Sequence, residues 1–269
     1  MKRLVVNADD FGYARDVNAG IIEAHTRGIL TATTLMANGN AFDDAVRLAR
    51  DHSELDIGCH LVLVGGRSVV NDGSGLPNSV PELLKALALR RIDPYAELRA
   101  QIRKILATGI RPTHLDTHKH THLAPPVLEA VARLSQEFEI RWVRRPFDFP
   151  LSGGRVPFGK RAVSRSLQVL RNNVHQKLTR YGCLTTDYFA GFQLTGHLHT
   201  SELLAILETL PEGLTEFMCH PGYCTDELRA SPTRLKESRE RELEALLATE
   251  VRLALEAKGI ELARYRDLA

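Results

Sequence analysis

The chain has 269 residues, of which 43% are hydrophobic and 25% are charged, as in an ordinary globular protein. Its formal net charge of +2 provides no general attraction to nucleic acid or membranes. No apolar stretch approaches the roughly 18 residues that a transmembrane helix requires, and no signal-peptide core follows the first residues. The four cysteines lack CxxC spacing. We therefore expect a reduced, cytoplasmic protein.

Short apolar runs alternate with longer amphipathic ones, which is typical of a parallel α/β protein. This alternation fits either a barrel or an open sheet. The predicted elements are, in chain order, a strand at 4–7, a helix at 17–27, a strand at 31–36, a helix at 41–50, a strand at 55–64, a helix at 95–108, a strand in the histidine-rich segment, a helix from Pro125, strands at 140–143 and 213–218, a helix at 237–258 and a strand at 260–262.

Two stretches interrupt this pattern. Residues 65–81 are rich in Gly, Asn, Ser and Pro and are predicted to form a surface loop. Residues 144–180 contain nine Lys or Arg and one acid, Asp148, and their second half has helical apolar spacing. We expect an inserted arm or lid around residues 145–190. It could be a helix packed on a partner in a homodimer, or a basic amphipathic helix that contacts an anionic membrane surface.

A histidine-rich segment is the strongest chemical signal. His114, Asp116, His118, His120 and His122 occupy every second position, so in an extended chain their side chains would share one face. Neutral imidazole and carboxylate groups are good ligands for divalent transition metals. The segment therefore indicates a metallohydrolase.

Three other polar groups follow predicted strands: the Asp9-Asp10 pair, His60 and His220. In β/α barrels and in open α/β sheets, functional groups gather at the C-terminal ends of the strands. Taken singly, the aspartates could be a turn pair, His60 a core histidine and His220 a turn residue. Their shared placement favours one site with the histidine-rich segment. Since adjacent residues point differently, one aspartate could bind a metal while the other faces a metal-bound water.

The chain resembles the YdjC-like carbohydrate deacetylases nearly from end to end, and least at residues 150–190. The resemblance rests on four motifs in the same order: NADDFG at 7–12, GCHL at 58–61, HLDTHKHTH at 114–122 and MCHPGY at 218–223. It implies a distorted, TIM-like (β/α) barrel, with residues 1–269 as a single domain. It also implies removal of acetyl groups from N-acetylated amino sugars with a divalent metal, the substrate being a chito-oligosaccharide or a hopanoid-linked N-acetylglucosamine.

By this resemblance Asp10, His60 and His118 are the metal ligands, and Asp9 is the catalytic base. His220 is our candidate for the general acid.

The remaining polar groups of the site have several possible roles. His120 and His122 could be the acid or could orient the ligands, and Asp116 could hold His118 in its metal-binding tautomer. Arg144 and Arg145 are either a solvated pair or groups that position substrate hydroxyls or an anion, and we expect Arg145 either to bind the substrate or to support the residues that do. Two imidazoles favour zinc or another transition metal, whereas the resemblance also allows magnesium.

Two alternatives stay open. A metal-dependent phosphoesterase or amidohydrolase could use a similar His/Asp site, and two close metals or a bridging ligand would favour it. One metal beside a free carboxylate favours deacetylation. A protein that uses its basic segment to bind nucleic acid or acidic lipid is the third hypothesis. The near-neutral net charge and the lack of interleaved aromatic residues argue against nucleic acid.

Overall fold

A curled sheet of eight parallel strands forms the centre of the computed structural model, which describes residues 1–71, 74–150 and 158–268. The strands are β1 (Lys2–Phe11), β2 (Ala32–Leu35), β3 (Asp56–Leu61), β4 (His114–Thr117), β5 (Trp142–Val143), β6 (Tyr188–Ala190), β7 (Gly213–Cys219) and β8 (Ile260–Leu262). They are ordered β5-β4-β3-β2-β1-β7-β6, and β8 pairs with the beginning of β1. The central strand β1 is buried from Leu4 onward, as expected where helices cover a parallel sheet.

The two ends of the sheet approach each other. Isolated parallel bridges join Trp142 to Leu184 and Asp148 to Phe189, and the N–H of Val143 donates to the carbonyl oxygen of Leu184 at 2.9 Å. These contacts connect β5 and the residues that follow it with β6 and the residues that precede β6. The predicted distorted α/β barrel is therefore confirmed.

Helices surround this sheet. They are α1 (Arg15–Arg27), α2 (Phe42–Asp51), α3 (Val80–Ala88), α4 (Pro94–Leu106), α5 (Pro125–Glu137), α6 (Phe158–Leu167), α7 (Arg171–Arg180), α8 (Thr200–Thr209), α9 (Asp226–Ala230), α10 (Glu237–Leu247) and α11 (Thr249–Ala257). Within the described ranges, none of them has the length and apolar character needed to cross a bilayer.

Some predicted elements differ from the structure. The single helix expected at 237–258 is wrong, because α10 and α11 are separated at Ala248, whose ψ of 128° is extended. Helices α3, α8 and α9 and the three-residue strand β6 were not predicted. Helix α3 begins at the end of the predicted loop, where Ser79 accepts a hydrogen bond from the N–H of Glu82 and Pro81 fits the first turn.

The segment between β5 and β6 is partly integrated into the barrel. Helix α7 buries Val174 and Leu178 in the main core, and Lys177 Nζ binds Glu129 Oε2 of α5 at 2.6 Å. Helix α6 is more exposed, with Val163 49% accessible. Residues 151–157 of the predicted arm lie outside the described residues. The second half of this arm is therefore a packed helix of the outer layer.

Asp148 links the chain after β5 to the loop after β6 through hydrogen bonds. Its carboxylate is buried and accepts hydrogen bonds from the N–H groups of Phe192 at 3.1 Å and Gln193 at 2.9 Å. Burial raises the pKa of Asp148 to about 6, although the N–H donors act in the opposite direction. The folded protein thus binds a proton here more tightly than the unfolded chain does.

This difference predicts a pH-dependent stability. As the pH rises from about 4 to 6, Asp148 loses its proton in the unfolded chain before it does so in the folded protein. The contribution of Asp148 to stability therefore falls over this range and stays low above pH 6. Two pKa units correspond to about 3 kcal/mol. We therefore expect the unfolding free energy of Asp148→Asn, relative to that of wild type, to increase by up to about 3 kcal/mol between pH 4 and pH 7. Denaturant titrations of both proteins at each pH measure this change. A difference that is constant over this range would contradict the assignment.

Candidate metal centre and active site

The end of β1 presents two aspartates in different directions. The pairing of β1 with β2 is irregular between Ala8 and Phe11, and Asp10 has a φ of 71°. A non-glycine residue in this left-handed region is strained, and such residues concentrate at functional sites. As a result, the side chains of Asp9 and Asp10 reach different groups within the same site.

The histidine-rich segment is extended only at its beginning. Strand β4 ends at Thr117, and His118–Leu123 forms a 3₁₀ segment in which Lys119 (φ 55°) and His120 (φ 52°) are left-handed. The expectation that all five alternating groups share one face is therefore wrong. The turn separates the histidines and brings His118 to Asp10.

Asp10, His60 and His118 form the cluster predicted as metal ligands. Asp10 Oδ1 lies 3.3 Å from His60 Nε2 and 3.2 Å from His118 Nδ1, and the two ring nitrogens are 3.1 Å apart. Asp10 Oδ1 is buried and makes no hydrogen bond within the described residues. This unsatisfied carboxylate oxygen and the two imidazole nitrogens beside it fit a divalent metal ion.

The groups behind these ligands orient them. His60 Nδ1 is 2.7 Å from Asp116 Oδ1, and Thr34 Oγ1 donates to Asp116 Oδ2 at 3.0 Å. A proton on Nδ1 leaves the lone pair of Nε2 directed at the cluster. Asp116 thus orients His60 rather than His118, the residue for which we predicted this role.

Negative charge favours a cation at this position. Burial alone would lower the pKa of His60, but the carboxylates of Asp116, Asp10 and Asp9 raise it to about 10. A divalent cation would satisfy the same carboxylates.

Arg144 connects three buried carboxylates. Its guanidinium donates to both oxygens of Asp9 at 2.7 and 2.8 Å, and contacts Asp116 Oδ2 and Glu216 Oε1, each at 2.7 Å. Burial would raise the pKa of Asp9, but Arg144, together with His60 and His220, outweighs it and holds that pKa well below its usual range. Asp9 is therefore an anion of fixed orientation at neutral pH.

A second group of possible metal ligands is already occupied by this arginine. Asp9, His60 and Asp116 also lie within reach of a single ion. However, the same Nη1 of Arg144 contacts both Asp9 Oδ2 and Asp116 Oδ2. The cation between these two carboxylates is the guanidinium, so the geometry favours one metal over the two that a phosphoesterase site would suggest.

His220 lies at the end of β7, on the Asp9 side of the cluster. Its Nε2 is 4.0 Å from Asp9 Oδ2, and its Nδ1 is 3.8 Å from Glu242 Oε2. The same Glu242 oxygen accepts a hydrogen bond from the N–H of His220 at 2.6 Å. His220 therefore has one carboxylate on each side of its ring.

His120 and His122 are buried and uncharged at neutral pH. His122 Nδ1 is 2.6 Å from Thr117 Oγ1, and burial, together with Arg144, lowers the pKa of His122 to about 3. The His120 ring packs against Phe192, with centroids 5.5 Å apart, and burial holds its pKa well below the usual value. Neither ring carries the proton that a general acid must donate, which favours His220 for that role.

Two other residues of interest make no hydrogen bond to the three proposed metal ligands among the described residues. Arg145 Nη2 donates to the carbonyl oxygens of Thr186 and Asp187 at 3.2 and 3.0 Å, and the structure does not bring it to the metal ligands. His114 Nε2 contacts Asn7 Oδ1 at 2.9 Å. Of the adjacent pair Arg144 and Arg145, the residue that enters the site is Arg144.

Arg239, Glu242 and Glu216 are site residues that the sequence analysis missed. Arg239 and Glu242 belong to α10, where they share the buried face with Leu243 and Leu246. Charged residues on the apolar face of a helix were the available signal. It was missed because the segment was interpreted as one long charged helix.

Comparison with known proteins identifies the family of this chain. The family model described as YdjC-like protein matches residues 3–257. The chain belongs to the YdjC-like family. It is 32% identical to a carbohydrate deacetylase from Brevibacillus brevis, covering 99% of both chains. It is 34% identical to a carbohydrate deacetylase from Geobacillus stearothermophilus, covering 98% of this chain and 96% of the relative.

Solved structures support the fold of this YdjC-like protein. A proposed cellobiose-phosphate cleavage protein from Enterococcus faecalis superimposes with a TM-score of 0.75 at 27% identity, covering 100% of this chain and 99% of the other. A lactam utilization protein from Thermus thermophilus superimposes with a TM-score of 0.52 at 17% identity, covering 98% and 100% of the two chains. The second likeness concerns the fold alone.

The Arg144 cluster predicts a large loss of stability on substitution. Arg144→Met would leave three buried carboxylates without their cation, so the free energy of unfolding should fall by about 3–5 kcal/mol. Arg145→Met is the matched control, because it removes the same charge but only two hydrogen bonds to backbone carbonyls; it should cost about 1 kcal/mol. Equal losses in denaturant titrations of the two variants would contradict the proposed importance of Arg144.

Proposed function

We propose that this YdjC-like protein is a carbohydrate N-deacetylase that hydrolyses the acetamide of an N-acetylglucosamine-type sugar with one divalent metal ion. The observation that carries the proposal is the cluster of Asp10, His60 and His118 beside a second, separately oriented carboxylate, Asp9. The names of the curated relatives support the carbohydrate deacetylase activity.

Asp10, His60 and His118 would hold the metal. Three protein ligands leave positions open for water and for the acetamide oxygen. When bound there, a divalent cation would polarise the acetamide carbonyl and lower the pKa of the attacking water. Two imidazole ligands favour zinc or another transition metal, with magnesium as the alternative.

Asp9 would accept the proton of the attacking water. It is ionised beforehand because Arg144 lowers its pKa, and both of its oxygens are held by that guanidinium. The same interaction makes Asp9 a weak base, so the reaction depends on a water that is already acidified. Arg144 thus fixes the direction of the base at the cost of its basicity.

His220 would donate a proton to the leaving nitrogen. Water oxygen bonds to the acetyl carbon, the carbon–nitrogen bond breaks, and the nitrogen leaves as the amine when it is protonated. His220 Nε2 is 4.0 Å from Asp9 Oδ2, so the base and the acid lie beside the same small volume. Glu242 is positioned to stabilise the protonated ring.

Substitution of the proposed base tests this mechanism. Asp9→Asn removes the proton acceptor but none of the three proposed metal ligands. Acetate release from N-acetylglucosamine, its oligosaccharides and lipid-linked forms, each with added zinc, cobalt or magnesium, should fall by at least about 10²-fold. Metal binding, measured by competition with a chelator, should persist.

The outcomes separate the two parts of the proposal. Retained turnover in Asp9→Asn would exclude Asp9 as the base. Wild-type protein that releases no acetate from any of these sugars, but hydrolyses a phosphate ester, would contradict the deacetylase function itself.

A further inference from the structure

Arg239 is a buried cation that forms an ion pair with the carboxylate of Asp10. Its side chain is fully buried, and its Nη2 lies 2.5 Å from Asp10 Oδ2. Its Nε donates to the carbonyl oxygen of Leu235 at 3.2 Å. A buried guanidinium is costly unless a carboxylate compensates it, so Arg239 and Asp10 depend on each other.

The two oxygens of Asp10 have different partners. Oδ2 is held by Arg239, whereas Oδ1 faces His60 Nε2 and His118 Nδ1 and makes no hydrogen bond within the described residues. A carboxylate can bind a metal through one oxygen or through both. With Oδ2 engaged by the guanidinium, only Oδ1 is available to an ion at the cluster.

The stem of Arg239 has little freedom to move. A Cβ atom at Gly222 would lie 3.2 Å from Arg239 Cδ, and the N–H of Gly222 donates to the Arg239 carbonyl oxygen at 3.3 Å. On the other side of this glycine, a Cβ at Gly20 of α1 would lie 2.5 Å from Gly222 Cα. The close approach of the two glycines packs α1 and the loop after β7 against the arginine.

We propose that Arg239 is a positioning residue that restricts Asp10 to one-oxygen coordination and thereby sets the affinity of the metal site. The inference rests on the metal site of the proposed function and is independent of the identity of the sugar. One-oxygen coordination keeps positions on the ion free for water and substrate.

Cobalt binding tests this role directly, because the visible spectrum of Co²⁺ reports its coordination. Arg239→Met should weaken Co²⁺ binding about 10- to 100-fold in a chelator competition, because Asp10 is no longer held in its ligand orientation, and should change the Co²⁺ absorption bands, because Oδ2 is free to approach the ion. Arg239→Lys keeps the charge without the fork of two nitrogens and should lie between wild type and Arg239→Met. Arg229→Met is the control, since Arg229 is 55% exposed with ion pairs of 3.7 and 3.8 Å.

The measurement distinguishes this inference from a structural role and from failure of the metal site. If Arg239 only stabilises the fold, thermal unfolding of the metal-free variants shifts while Co²⁺ affinity and spectrum match those of Arg229→Met; that result overturns the inference. Should Arg239→Met not fold, Arg239→Lys decides by the same two readouts. Wild-type protein that binds no Co²⁺ would contradict the proposed metal site instead.

Discussion

The site depends on one buried ionic interaction, the contact of the Arg144 guanidinium with Asp9, Asp116 and Glu216. A single cation at the strand ends allows three carboxylates to be buried, and two of them have distinct roles. Asp9 is fixed as an anion, and Asp116 orients His60. The pKa of Glu216 is raised, because burial outweighs the opposing effect of Arg144, whereas the pKa of Asp9 is lowered. The carboxylates that contact Arg144 therefore differ in how readily they ionise.

A second buried arginine organises the other half of the site. Arg239 holds one oxygen of Asp10, and Glu242, three residues later on α10, contacts His220. Together the two arginines face more buried carboxylates than they can neutralise, which leaves the site negative. A divalent cation at Asp10 Oδ1 would balance this negative charge. It would also give Asp10 Oδ1 a partner, which that oxygen lacks among the described residues. Ion pairing, rather than the number of histidines, therefore defines the position proposed for the metal.

The sequence allowed the parallel barrel and the strand-end site to be predicted, because apolar runs, strand ends and the family motifs are local features. It could not reveal how β4 ends: the left-handed turn at Lys119 and His120 changes which histidines meet Asp10. Nor could it show which carboxylates Arg144 and Arg239 contact, since each contacts one more than 100 residues away. Such pairings depend on the closed sheet and on α10 packing, which only the three-dimensional structure provides.

The central claim is that one divalent ion binds where β1, β3 and the turn after β4 meet. Metal titration of the wild-type protein and of His118→Ala, with unfolding curves to confirm that both are folded, tests it most directly. We predict one tightly bound ion per chain in the wild type and the loss of that ion in His118→Ala. Two ions per chain, or one that binds equally well without the His118 imidazole, would contradict the account.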